Sequence, residues 1–215
     1  MTTLTASTVS TTNRNATTRR LLAAGTVAAP LFAAVALAQA AVRPGYDLTR
    51  HPVSMLALGD LGWIQTANFV ICGLLMLVAS VGLRRARRGQ KGGTWGPILF
   101  VTQGVGLLVA SAFEIDPGDG FPVGTPAGAP TTMSSHMLVH NAGGSLTFFT
   151  MIAACFVLAR SFDRTWKALG RVCAVAFAAA LVWAMTGGVA GALTLFLGVV
   201  IAWGWEAAAL TKLSR

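Results

Sequence analysis

Val172 to Trp205 reads VCAVAFAAALVWAMTGGVAGALTLFLGVVIAWGW, 34 residues without a charged side chain. As one helix rising 1.5 Å per residue it would be about 51 Å long, well beyond a bilayer hydrocarbon core of about 30 Å. A turn is therefore required, and Thr186-Gly187-Gly188 supplies the residues for it. The stretch reads as a tight hairpin of two helices, expected at about 169–186 and 189–206, with Arg171 and Glu206 at its open end. Working outward, four more apolar runs of about 20 residues, bounded by charge, Gly or Pro, mark spans at about 21–42, 63–83, 95–113 and 137–159.

These spans make an all-α integral membrane protein of six transmembrane helices over 21–210, followed by a short cytosolic tail at 211–215. Composition agrees: 54% of residues are apolar and only 11% charged, with a mean hydropathy of +0.67, whereas soluble domains carry about 25% charge. Residues 1–20, rich in Thr, Ser and Asn, are expected to form a disordered cytosolic tail. Arg19-Arg20, the apolar run after them and Ala38-Gln39-Ala40 also resemble a cleavable secretory signal. The run is longer than such signals use, so retention as a membrane helix is expected.

Lys and Arg near span ends stay in the cytosol, which orients the chain. With six spans, Arg14, Arg19, Arg20, the Arg84–Lys91 cluster, Arg160, Arg164, Lys167, Arg171, Lys212 and Arg215 share one side, and only Arg43 and Arg50 lie on the other. Asp47, Asp60, Glu114, Asp116 and Asp119 lie with that pair. Both termini are thus expected in the cytosol, beneath a polar outer cap. The net charge of +9 resides in connectors that set topology and meet anionic lipid. No basic patch interleaved with aromatics suggests nucleic acid. Cys72, Cys155 and Cys173 share no metal or redox spacing and read as packing residues. Trp63, Trp95, Trp183, Trp203 and Trp205 are expected at span ends, in the headgroup layer.

All three histidines map to the outer side. Between Arg43 and Pro52 charge alternates with turn formers, and Val53–Gly59 is an apolar run too short to span, expected in the interface or dipping between helices. The connection from Glu114 to Ser135, rich in Pro and Gly, is expected to form a shaped cover. His136 and His140 then stand one helical turn apart, a spacing that can ligate Zn²⁺ with Asp116, Asp119 or His51 as a further ligand. The alternative is that both rings pack the connections onto the bundle. Ser54, Ser134 and Ser135 lack a GxSxG frame and suit helix caps better than nucleophiles. Arg43 and Arg50 could clamp a phosphate or carboxylate, or pair with Asp47, Asp60 or Asp116. No charged residue is expected in mid-span, which disfavours a coupled transporter; Gln65, Asn68 and Gln103 are expected to bond between helices.

The runs RPGYDLTRHPVSMLALG at 43–59, GWIQTANF at 62–69, IDPGDGFPVGTP at 115–126 and HMLVHN at 136–141 resemble the bacterial membrane family catalogued as domain of unknown function 998. The resemblance implies six helices with the motif residues on one face: Arg43, Pro44, Gly45, Tyr46, Asp47, His51, Asp116, Pro117 and one of His136 or His140. It implies no established activity. One departure is Gly188–Leu193, where the pattern leads one to expect an Arg and this chain has none.

The expected function is binding of a lipid headgroup or small molecule in an outer polar pocket built from Arg43, Tyr46, Asp47, Arg50, His51 and Asp116, in a bacterial inner membrane. The second reading is a membrane hydrolase with Zn²⁺ on His136, His140 and Asp116. Membrane lipids are the expected partners, and sequence leaves open whether the chain forms a homo-oligomer.

Overall fold

The structure, a computed structural model, describes the backbone from Thr3 to Arg215 and side chains from Ala16 onward. Among the described residues six helices are long and apolar enough to cross a membrane: α1 (Thr3–Val42, with its candidate span at Ala16–Val42), α2 (Gly62–Arg87), α3 (Trp95–Ala112), α4 (Ser135–Ala159), α5 (Arg164–Met185) and α6 (Gly191–Leu213). A short 3-10 helix, Val53–Ala57, lies between α1 and α2. The chain is a multi-pass, all-α membrane protein.

The expected tail at 1–20 falls partly outside the described residues. From Thr3 its backbone is helical and continuous with the first span, since extending a helix costs far less than nucleating one. Side chains set other boundaries. Ser134 accepts the Met137 N–H at 3.0 Å to start α4, and Asp163 accepts the Trp166 N–H at 3.1 Å to start α5. Arg84, Arg85 and Arg87 occupy the last turn of α2, where cations complement the helix dipole. Between α5 and α6, Gly187 takes φ +75°, Gly188 donates to the Trp183 carbonyl at 3.0 Å and the Trp183 indole donates to Val189 O at 3.0 Å.

Each helix packs on the next in chain order, and α6 returns to α1, closing a ring. The seam through α2, α3 and α4 is made by glycine. A Cβ on Gly104 would sit 2.7 Å from the Gly73 carbonyl oxygen, and one on Gly143 would sit 2.8 Å from that of Gly106. These backbones meet with no room for a side chain, as close helix packing in membranes requires. Phe32 of α1 stacks against Phe69 of α2 and Trp203 of α6, tying three helices at the core.

Two expectations about α6 need correction. Trp203 and Trp205, placed by sequence in the headgroup layer, are 2% and 4% exposed. Trp203 donates to the Met76 sulfur at 3.3 Å, and Trp205 packs its ring on Gly170. Glu206, expected at the hairpin's open end, is 1% exposed inside the bundle. Both follow from α6 continuing to Leu213, seven residues or about 10 Å beyond Glu206.

Candidate functional site

The connections 43–61 and 113–134 meet at one end of the bundle, termed here the loop end. Arg43, directly after α1, turns its buried guanidinium back to the carbonyl oxygens of Leu56, at 3.1 Å, and Leu58. It also lies 5.3 Å from the centroid of the Phe121 ring. This grip holds the 3-10 turn inward, so Met55, Leu56, Ala57 and Leu58 are buried. Tyr46 packs edge-on against Phe121 and donates its hydroxyl to His51 O at 2.8 Å. Burial, then the nearby Asp47 charge, push its phenol above the ordinary range.

His51 joins the two connections. Its Nδ1 accepts the Asp47 N–H at 2.9 Å, which assigns the ring proton to Nε2, 2.9 Å from the Asp119 carbonyl. Arg50 pairs with the Asp119 carboxylate at 2.8 Å. The Asp119 carboxyl is held below the usual range chiefly by its bond from Arg50. Asp47 is held low by the Thr49 hydroxyl and N–H, at 2.7 and 2.8 Å. Asp116 stands apart from this group, accepting from the Ser134 hydroxyl and N–H at 2.5 and 2.7 Å, which lower its carboxyl in turn.

Of the six residues expected to bind a ligand, Arg43, Tyr46, Arg50 and His51 therefore converge on Phe121 and Asp119, whereas the Asp47 carboxylate bonds within its own turn and that of Asp116 ties the start of the second connection to Ser134 at its end. All six are engaged with protein groups. Asp119 was singled out from the sequence only as a possible zinc ligand, and Phe121 not at all; its only signal was the turn-rich DPGDGFP run.

The zinc reading is overturned. Among the described residues no group of three or more His, Cys, Asp or Glu could hold a metal, and a catalytic zinc site needs three protein ligands. His136 and His140 are separated by burial. His136 is exposed and stacks edge-on with Phe113. His140 is 5% exposed, with Nδ1 2.8 Å from the carbonyl oxygens of both Ala110 and Phe113. Two acceptors assign the proton to Nδ1 and leave Nε2 as an acceptor. The His140 ring thus bonds the end of α3 to α4, while Asp116 is occupied by Ser134.

His140 also lines a cavity of about 380 Å³ that the sequence did not reveal. The short helix contributes Val53 and Ser54 to its loop-end wall, with Pro52 beside them. Phe69, Leu107, Phe148, Phe196 and Trp203 make it largely apolar. Polar groups are few: Ser54, His140, Asn141, Ser145 and Thr147. Asn141 and Ser145, one turn apart on α4, are exposed, as is Met185 on α5, at 75%. The cavity consequently opens sideways between α4 and the α5–α6 hairpin. Gly144 lines that opening, and a Cβ there would meet nothing within 4 Å.

Residues 26–212 match the family model described as "Protein of unknown function (DUF998)". The chain belongs to that family, over nearly its whole length. No curated protein and no solved structure matches it.

Proposed function

We propose that this protein binds a lipid-like amphiphile in the lateral cavity between α4 and the α5–α6 hairpin, with the apolar part inside and the polar part at the loop end. The observation carrying this reading is an apolar cavity whose few polar groups, Ser54, His140, Asn141 and Ser145, accompany an opening on the helix sides. Its volume lies within the range of about 300–1,000 Å³ typical of small-ligand sites. Helix sides in a membrane protein face acyl chains, so a ligand already dissolved in the bilayer can enter without crossing water. The asymmetry of Lys and Arg supports a loop end outside and both termini in the cytosol, and the family resemblance supports a bacterial inner membrane.

In this reading Arg43, Tyr46, Asp47, Arg50, His51 and Asp116 do not touch the ligand directly. Arg43 and the His51–Asp119 link hold the segment that carries Val53 and Ser54 over the cavity. His140 presents Nε2 to a hydroxyl or N–H of the ligand.

Native mass spectrometry of the detergent-purified protein tests this, comparing wild type with Gly144→Leu. A Cβ at this position meets nothing within 4 Å, so the added side chain has room to enter the opening. Wild type is expected to retain a lipid-mass adduct, and the variant to lose it at least about tenfold, the equivalent of 1.4 kcal/mol, at unchanged Tm. Equal lipid content in the two proteins would refute the reading.

A further inference from the structure

Glu206 is the charged residue that the sequence placed at a helix end and the fold places in the interior, and neither the loop end nor the lateral cavity uses it. Its Oε1 accepts from Gln103 Nε2 of α3 at 3.1 Å. The helices α3 and α6 are not packed neighbours, so this side-chain pair crosses the middle of the ring. Two atoms of the pair are orphaned: Glu206 Oε2 and Gln103 Oε1 are both buried without a hydrogen-bond partner.

Both orphans are acceptors if the carboxyl is ionised, and no protein donor reaches either. No cation compensates the charge, because the ion pairs among the described residues are Arg50–Asp119 and Lys212–Asp163. The groups facing Glu206 from the packed helices are the Gln103 amide and the Cys155 thiol of α4, with the Cys173 thiol of α5 beyond Cys155; toward α1, Thr26 bonds the adjacent Ala207 carbonyl. A bare carboxylate in such surroundings would cost several kcal/mol, and buried groups respond by becoming neutral. One proton supplies the missing donor: it neutralises the carboxyl and can be given to the amide oxygen, closing a paired acid–amide bridge.

We propose that Glu206 and Gln103 form an intramembrane proton-binding site, with the proton held between the carboxyl of α6 and the amide of α3. The site lies just beneath the lateral cavity. Thr147 lines that cavity and donates to the Gln103 carbonyl at 3.3 Å, and Trp203, one turn before Glu206, forms part of the same wall. Release of the proton requires water to reach Glu206, and therefore requires the α3–α6 bridge to open. Ionisable groups buried among membrane helices mark ion or proton sites for this reason.

Glu114 and Glu206 are the chain's two glutamates, and Glu114 is exposed on the loop. In the Glu114→Gln variant, cell-free incorporation of glutamate labelled with ¹³C at the side-chain carboxyl reports on Glu206 alone, without altering it. In reconstituted vesicles the carboxyl ¹³C resonance is expected at the protonated-acid position at pH 7, and unmoved between pH 5 and 8. Gln103→Leu is expected to shift it by removing the amide partner. A resonance at the carboxylate position at pH 7, or one titrating near the ordinary glutamic acid value of about 4.3, would overturn the proposal. A resonance indifferent to Gln103→Leu would overturn the pairing.

Discussion

The loop end and the bundle centre handle their polar groups in opposite ways. Around Phe121, Arg43 reaches two carbonyls, His51 uses both ring nitrogens and Arg50 meets Asp119. Inside the bundle, Gln103 and Glu206 each keep an atom with no partner, as do Gln39 and Gln65 in the helix turns beneath the loop end. Water outside the membrane would satisfy any loop-end group left over, yet that is where bonding is most complete. The interior, where an orphan costs about 1–3 kcal/mol, is where groups are left open. The loop-end residues consequently behave as fasteners, and the polar atoms left open lie among the helices.

Substitutions can break or sharpen that contrast. The largest effect is expected from Arg43→Met, which keeps the apolar stem but leaves the Leu56 and Leu58 carbonyls without their buried donor. Charge-assisted bonds of this kind make a loss of about 2–4 kcal/mol the expectation, read as reduced Tm in detergent with faster amide exchange over 53–58. Next is His51→Phe, which retains a ring beside Tyr46 and Phe121 but abolishes the bonds to Asp47 N–H and Asp119 O. About 1–3 kcal/mol is expected, again by thermal denaturation. If either variant left Tm unchanged, the loop-end residues would not be fasteners.

The smallest effect is acid loosening. Asp47 and Asp116 have carboxyls lowered by bonds from Thr49 and Ser134. A depressed folded-state value means stability that is complete above the unfolded value of about 3.9 and lost as pH falls through the folded one. Both groups are exposed, so the expected outcome is local: amide exchange at Thr49 and Ser134, corrected for its intrinsic pH dependence, should accelerate only below about pH 4. Acceleration already at pH 6 would refute the assignment to these carboxyls.

Span number was legible because 34 uncharged residues cannot be one span, and the chain turns where Thr186-Gly187-Gly188 allows it. The clustering of Arg43, Tyr46, Arg50 and His51 was foreshadowed by their position on one connection. Their engagement with Asp119 and Phe121, about 70 residues away, was not, because contacts across a bundle leave no periodic trace. The metal reading failed because an i, i+4 pair fixes a helix face but not burial: α3 covers His140 and leaves His136 outside. Glu206 was misplaced because its neighbours Trp203 and Trp205 resemble an interfacial belt, and only packing against Met76 and Gly170 distinguishes core tryptophans from surface ones. The cavity had no sequence signature, since its wall is built from all six helices.

The glycine seam also sets how this architecture can change shape. With carbonyls of Gly73, Gly104, Gly106 and Gly143 set against neighbouring helix axes, α2, α3 and α4 are laminated into one plate that neither slides nor spreads without separating backbones. None of the glycines of α5 and α6 meets the backbone of the plate in this way, so the hairpin packs on it through side chains. If the cavity admits a ligand as proposed, the side that yields is the hairpin and the side that holds is the plate.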